Sequence, residues 1–255
     1  MALEGDLDYA LARVQARHGE LAPEADWRRL AASRDLGHYL DVARAGSFAR
    51  WVSSLDATRD SHAIERSLRA LWSDYVLEVA SWHPRIWQPW LAWLAWVPAL
   101  SLLAQLAHPE PAPTWLPADP LLGPVAAGTP AERGAALEHT DLAPLASALR
   151  AARPLAGAWY AEWRRRLPTT DARTRELIDA LLRILTMHAH SLEQARDSAW
   201  PLRRQLAARL RVLFRRGAGT AVATVCHLGL VAIDLERLRG GIVRRRLLPS
   251  AVESP

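Results

Sequence analysis

The side chains spaced most like a metal site are His188 and His190, with Glu193 three residues further on. On a helix, residues two apart point about 200° away from each other, so His188 and His190 cannot readily share one ion. They read as one half-buried and one exposed histidine. Gly217-Ala218-Gly219-Thr220-Ala221-Val222 begins like a dinucleotide-binding loop. The third glycine is missing and the preceding residues have a helical pattern, so the run reads as a turn between helices. Trp159-Tyr160-Ala161-Glu162-Trp163-Arg164-Arg165-Arg166 sets aromatics beside cations, as surfaces for single-stranded nucleic acid do. The same letters fit an amphipathic helix with Trp159 and Trp163 turned inward, and no nucleic-acid module surrounds them. Arg244, Arg245 and Arg246 can dock on a phosphate or acidic patch, or complement the negative end of a helix. No Ser-His-Asp order, Gly-x-Ser-x-Gly or ligand cluster is present. The expectation is a chain with no catalytic residue, no metal and no cofactor.

Missing residue types exclude further chemistry. All 32 basic residues are Arg. Without Lys there is no P-loop lysine, kinase lysine, Schiff base or Ser-x-x-Lys acylase. Cys226 is the single cysteine, which excludes a disulfide framework and a cysteine-rich zinc site. The opening Met1-Ala2-Leu3-Glu4-Gly5-Asp6 is acidic and lacks a signal-peptide pattern, so a reducing cytoplasm is expected.

The elements that must position these residues are helices. The chain has 47 Ala and 41 Leu against 13 Val and 6 Ile, a composition that favours an all-α fold. Apolar spacing predicts a long amphipathic helix over 58–82, with Ile64, Leu68, Leu71, Trp72, Tyr75, Val76 and Val79 as its stripe. A second is predicted over 171–199, with Leu177, Ile178, Leu181, Leu182, Leu185 and Leu192. Between them, six prolines crowd residues 108–128, which reads as a stiff connection. Thr129, Pro130 and Glu132 then restart a helix with the pattern of a capping box. Short Asp-Leu helices at 35–45 and 141–151 each precede a Trp and then a long helix, which suggests a duplication. The expected organisation is two similar lobes of packed helices: 1–107, a proline-rich linker over 108–128, and a basic lobe over 129–255.

Charge is uneven along the chain. Residues 1–110 carry 11 Arg against 14 acids, a net of −3, and residues 111–255 carry 21 Arg against 13, a net of +8. A basic half can face nucleic acid, anionic lipid or an acidic protein, or be a solvated surface. Residues 86–109 contain no charge and are long enough to span a membrane. Pro89 and Pro98 interrupt them, and Trp87, Trp90, Trp93 and Trp96 recur every third residue instead of gathering at two ends. That stripe reads as buried core or as a partner-binding face. Residues 217–233 are a shorter uncharged stretch and read as a buried core helix.

The N-terminal third resembles a known family. Tyr9-Ala10-Leu11-Ala12-Arg13-Val14, continuing to Leu21, resembles the opening helix of the C-type subunit of V/A-type (vacuolar/archaeal-type) ATPases, the relative of the eukaryotic d-type protein. The acidic-aromatic helix that follows in the family is here Pro23-Glu24-Ala25-Asp26-Trp27. Its Asp-Leu helix is Asp35-Leu36-Gly37-His38-Tyr39-Leu40, and its long helix begins at Ile64-Glu65-Arg66-Ser67-Leu68. Near the C-terminus, Leu235-Glu236-Arg237-Leu238-Arg239 is similar to a Glu-x-x-x-Leu-Arg helix of the family. The resemblance covers 9–105 and 225–248. At Trp96-Val97-Pro98-Ala99-Leu100 the family's acid and amide are missing, and two lobes are legible where the family has three. The resemblance implies a non-catalytic central-stalk connector of a rotary ATPase. It would join the rotor shaft to the membrane ring and couple ATP hydrolysis or synthesis to ion transport, here proton transport. The chain would be cytoplasmic and peripheral on the membrane through protein contacts, with no small-molecule substrate. Trp87, Trp90, Trp93, Trp96, Arg244, Arg245 and Arg246 are the candidate partner contacts. The other readings are a soluble helical adaptor on the same scaffold, and a nucleic-acid-binding helical protein.

Overall fold

The computed structural model describes residues 2–108, 110–195 and 199–247, with side chains from residue 7. The acidic N-terminal run, Pro109 of the proline-rich stretch, and residues 196–198 of the second predicted long helix lie outside the described residues or side chains. The chain is all-α, with no strand among the described residues.

In chain order the α-helices are α1 (Ala2–Gly19), α2 (Glu24–Ala32), α3 (Leu36–Arg44), α4 (Ala49–Val52), α5 (Ser61–Ser81), α6 (Gln88–Ala92) and α7 (Leu100–Leu106). They continue with α8 (Gly123–Ala126), α9 (Arg133–Glu138), α10 (Ala146–Arg150), α11 (Leu155–Arg165), α12 (Ala172–Gln194), α13 (Trp200–Arg216) and α14 (Ala221–Leu247). Short 3-10 helices span Trp93–Ala99, Leu116–Ala118 and Ala143–Leu145.

Aspartates set several starts. The Oδ1 atoms of Asp35, Asp60 and Asp171 accept from the backbone N–H three residues on: His38 at 2.8 Å, Ala63 at 2.8 Å and Thr174 at 2.9 Å. Each carboxylate satisfies an orphan donor of a first turn and sits at the positive end of the helix dipole. The predicted capping box forms only in its reach-back half. Glu132 Oε2 accepts from Thr129 N–H at 2.9 Å and from the Thr129 hydroxyl at 2.8 Å, and helix begins at Arg133.

Packing divides the chain into two units, and they are not the sequence halves expected. The first holds residues 1–72, 81–85 and 169–255; the second holds 73–80 and 86–168. The two ends of the chain therefore pack together, because α14 is apolar on most of its circumference and needs neighbours from several segments. Ala221 to Leu228 is buried without a break, and α1, α3, α12 and α13 all pack against α14. Two glycines permit close approach. A Cβ at Gly229 would lie 2.9 Å from Leu210 Cδ1 on α13, and one at Gly241 would collide with the Tyr39 hydroxyl. The uncharged 217–233 stretch is thus core, as expected, though its helix begins at Ala221 and runs on to Leu247.

The second unit contains the proline-rich stretch. Leu116, Leu122 and Val125 are fully buried there. Asp119 Oδ1 accepts from Leu121 N–H at 3.0 Å and Leu122 N–H at 3.1 Å, which closes a tight turn. Arg133 fastens the start of the same region: its guanidinium donates to the carbonyls of Leu106 at 2.9 Å, His108 at 3.0 Å and Glu110 at 3.1 Å. Proline rigidity is used here to fold a segment onto its own unit, not to hold two lobes apart. The second Asp-Leu element also differs from the first. Pro144 turns its opening into the Ala143–Leu145 3-10 helix, whereas Leu36–Arg44 is continuous α-helix.

Candidate functional site

The tryptophan stripe is the most concentrated chemistry of the second unit. Residues 88–106 form one helical run of 19 residues with mean hydropathy 1.3 over its most apolar window, half of it buried. Pro98 cannot donate a backbone hydrogen bond, and Trp93–Ala99 tightens to a 3-10 helix. A 3-10 helix repeats every three residues, so spacing three keeps Trp93 and Trp96 on one edge. Trp87, Trp90 and Trp93 are buried, at 7%, 1% and 1% exposure, and Trp96 is half-buried.

What covers them is α11. Trp90 stacks on Trp163 with ring centroids 5.2 Å apart and planes 3° from parallel, and Trp163 stacks on Trp159 at 5.6 Å. The indole N–H groups cross between the two segments. Trp93 donates to the Trp159 carbonyl at 3.1 Å, Trp159 to the Trp93 carbonyl at 3.3 Å, and Trp163 to the Trp90 carbonyl at 3.1 Å. Arg166 lies 4.3 Å over the Trp93 ring. Glu162 holds both Arg165 and Arg166 at 2.7 Å, and the Arg165 hydrogen bond chiefly pulls its carboxyl below the usual range. Trp159 and Trp163 face inward as their i, i+4 spacing predicts. Trp87, Trp90 and Trp93, expected as partner contacts, are instead turned into the protein's own packing, because α11 supplies the Trp163 ring to Trp90 and the Trp159 carbonyl to Trp93, and Trp87 lies against Trp90.

In the first unit the arginines of α14 reach back to the N-terminal helices. Arg237 donates both its terminal nitrogens to Glu24 at 2.9 Å, with its guanidinium 4.3 Å from the Trp27 ring and 5.4 Å from Trp200. Arg239 pairs with Glu65 at 2.5 Å. Arg245 is 4% exposed. It donates to the carbonyls of Leu30 at 3.1 Å, Ala31 at 3.2 Å, Ser33 at 2.7 Å and Gly241 at 3.0 Å, and lies 4.2 Å over the Tyr39 ring. It therefore caps the C-terminus of α2 from outside that helix. Of the three arginines expected to meet a partner, Arg245 is internal, because the α2 carbonyls draw it inward. Arg244 and Arg246 are both exposed. Arg246 donates to the Ala57 carbonyl at 3.1 Å.

Titratable groups gather where α1 meets α13 and α14. The His18 ring stacks on Phe214 with centroids 3.7 Å apart and meets the edge of His227 at 5.9 Å. Burial pushes the His227 pKa down to about 3, with His18 and Arg17 adding to the effect. His83 Nε2 lies 2.8 Å from the Thr224 hydroxyl. Burial pushes the Cys226 thiol up to about 12, so it is protonated and unreactive at neutral pH. Burial likewise raises Asp234 to about 6, against the opposing pull of Arg211 and Arg237.

Asp234 gives a signed pH prediction. Below pH 3.8 its carboxyl is neutral folded and unfolded, so it costs nothing. Between that value and about 6 the unfolded chain ionises first, so stability falls as pH rises, and the penalty is complete above about 6. Asp234→Asn removes the penalty. The variant is expected to be more stable than the parent at pH 7.5, with the gain vanishing by pH 4; urea denaturation at both pH values measures it. A gain of equal size at pH 4 would contradict the titration account.

His188 and His190 do not converge. His188 is half-buried and its pKa is lowered, chiefly by burial. His190 is exposed, 2.9 Å from Gln194 Nε2 and 3.8 Å from Glu193. No group of three or more His, Cys, Asp or Glu among the described residues is placed to hold a metal. The Gly217–Thr220 run is the turn between α13 and α14, with Gly219 at φ +86. No protein-family model matches the chain, and no curated protein or solved structure matches it either.

Proposed function

We propose that this chain is a non-catalytic connector of the V/A-type rotary ATPase central-stalk kind, placed between the central shaft and the membrane rotor ring. One observation carries the reading. The separate segments that resemble the family pack against one another, through the residues that define the resemblance. Glu24 of the acidic-aromatic helix pairs with Arg237, and Glu65 of the long helix pairs with Arg239. The Tyr39 hydroxyl of the Asp-Leu helix donates to the Leu238 carbonyl at 3.4 Å. The opening helix α1 lies on α14. A chance likeness of five short stretches would not require four of them to be neighbours of the fifth.

In this reading the first unit is a stiff frame whose ends are clasped by charge-assisted hydrogen bonds, suited to transmit torque without performing chemistry. The chain works at the cytoplasmic face and is held there by protein contacts. The test is isolation of the tagged chain from its native cells. The expected result is co-purification with ring, shaft and catalytic subunits, and loss of ATP-driven proton transport in membranes lacking the chain. Rotary ATPase that is isolated complete and coupled without the chain would overturn the proposal.

A further inference from the structure

The solvent side of α13 carries a second helical pattern, distinct from the one that packs it. Ala207, Leu210, Leu213 and Phe214 are buried and fix the inward arc. On the opposite arc Gln205, Ala208 and Val212 are exposed, spaced three and four residues apart as the a, d and a positions of a heptad. In that register Arg204 and Arg211 occupy g, and Arg209 and Arg216 occupy e. Between 204 and 216 every flanking position is therefore arginine, and Arg215 takes the second d position. Arg204, Arg211 and Arg216 are exposed and Arg209 is half-exposed.

The charge is unbalanced. The 17 residues of α13 contain no Asp or Glu. Arg203 pairs with Glu236. Among the described residues no carboxylate lies within ion-pair distance of Arg204, Arg209, Arg211, Arg215 or Arg216. Arg211 and Arg215 are like charges at i, i+4, which disfavours the isolated helix. Glu24 and Asp234 act on Arg204 and Arg211 only from beyond that distance, so both arginine rows keep donors open to a partner.

We propose that this face docks an acidic α-helix of a partner protein. Gln205, Ala208 and Val212 let the helix axes approach over the first three seam positions, Arg215 closes the fourth, and Glu or Asp at the partner's e and g positions meets the two arginine rows. A second copy of this chain does not fit, because its arginine rows would face these rows. A bilayer would meet the charges but has no use for a small-residue seam between them. The face from Arg204 to Arg216 is about 18 Å long, two heptads, so binding is moderate, electrostatically steered and salt-sensitive. The inference rests on α13 alone and holds whether or not the chain serves a rotary ATPase.

The test uses the full chain and a labelled four-heptad peptide with Leu at a and d and Glu at e and g. Its controls are the same peptide with Lys at e and g, a scrambled peptide of equal charge, and phosphatidylserine vesicles. The Glu peptide is expected to bind at least about tenfold more tightly than the Lys and scrambled peptides, with affinity falling as salt rises. R204E/R209E/R211E/R216E is expected to exchange the preference, and Val212→Asp to weaken binding of the Glu peptide. Should circular dichroism show the quadruple variant unfolded, R204Q/R211Q must still weaken the Glu peptide at least about threefold. Equal binding of the scrambled peptide would reduce the face to a general polyanion surface and overturn the proposal. Binding of vesicles through these arginines without binding of the Glu peptide would overturn it in favour of lipid.

Discussion

Replacing Arg245 with Met is expected to lower the stability of the first unit by about 3 kcal/mol, since each buried polar group left unmatched costs about 1–3 kcal/mol. The variant keeps most of the side-chain volume and its contact with Tyr39. It removes the guanidinium donors of the Ala31 and Ser33 carbonyls at the end of α2, while the Leu30 carbonyl keeps its bond from Ser33 N–H. Helix α2 cannot supply replacements by running on, because Ser33 already leaves it with extended backbone at φ −69, ψ 133. Arg245→Lys keeps the charge but presents a point donor where the guanidinium offers a fork, so it should recover only part of the loss. In a chain of this size the Met variant should melt about 6–12 °C lower. Hydrogen exchange should rise first in 24–44 and 235–247. A Met variant as stable as the parent would show that water replaces the guanidinium at no cost.

Replacing Trp163 with Ala is expected to cost about 3–5 kcal/mol, in the range for deleting a large buried aromatic. Trp163 is 0% exposed and is the middle ring of the Trp90–Trp163–Trp159 stack. Its removal opens a cavity bounded by two rings that cannot collapse, because the reciprocal bonds between Trp93 and Trp159 hold those segments at fixed separation. Trp163→Phe retains stacking area but removes the indole bond to the Trp90 carbonyl, and should lose about 0.5–1.5 kcal/mol. Urea denaturation ranks the two variants, and near-ultraviolet circular dichroism should lose the signal of coupled indoles in both. An Ala variant no worse than Phe would mean that the hydrogen bond, not the stack, holds α11 in place.

The two predictions mark where sequence reading stops. Trp163 is visible in the sequence as an inward residue, because Trp159 and Trp163 share a helix face at i, i+4. Its partner on the other segment is not visible, because Trp90 lies 73 residues away along the chain. The stripe over 87–96 shows a repeat of three, which fits both a partner-binding face and the 3-10 helix that is present. Nothing in a single segment says whether another segment covers it. Arg245 is one of three consecutive arginines with the same local pattern, yet it alone is buried, a distinction made entirely by the carbonyls of α2.

The amino-acid sequence by itself determined that this protein is all-α, where several helices begin, and which turn joins α13 to α14. Ala and Leu excess, aspartate caps and glycine act within a few residues, so their effects are written locally. Only the tertiary structure decided the grouping of the two chain ends around α14 and the folding of the proline-rich run into the second unit. It also decided the inward turn of the tryptophans and the outward arc of α13. Those outcomes depend on which apolar faces find each other across large sequence separations, and loop closure costs too little to make that choice legible from order alone. The arginine rows of α13 show the same rule. They become a pattern only when Leu210 and Leu213 are seen buried, because burial of one face is what defines the other.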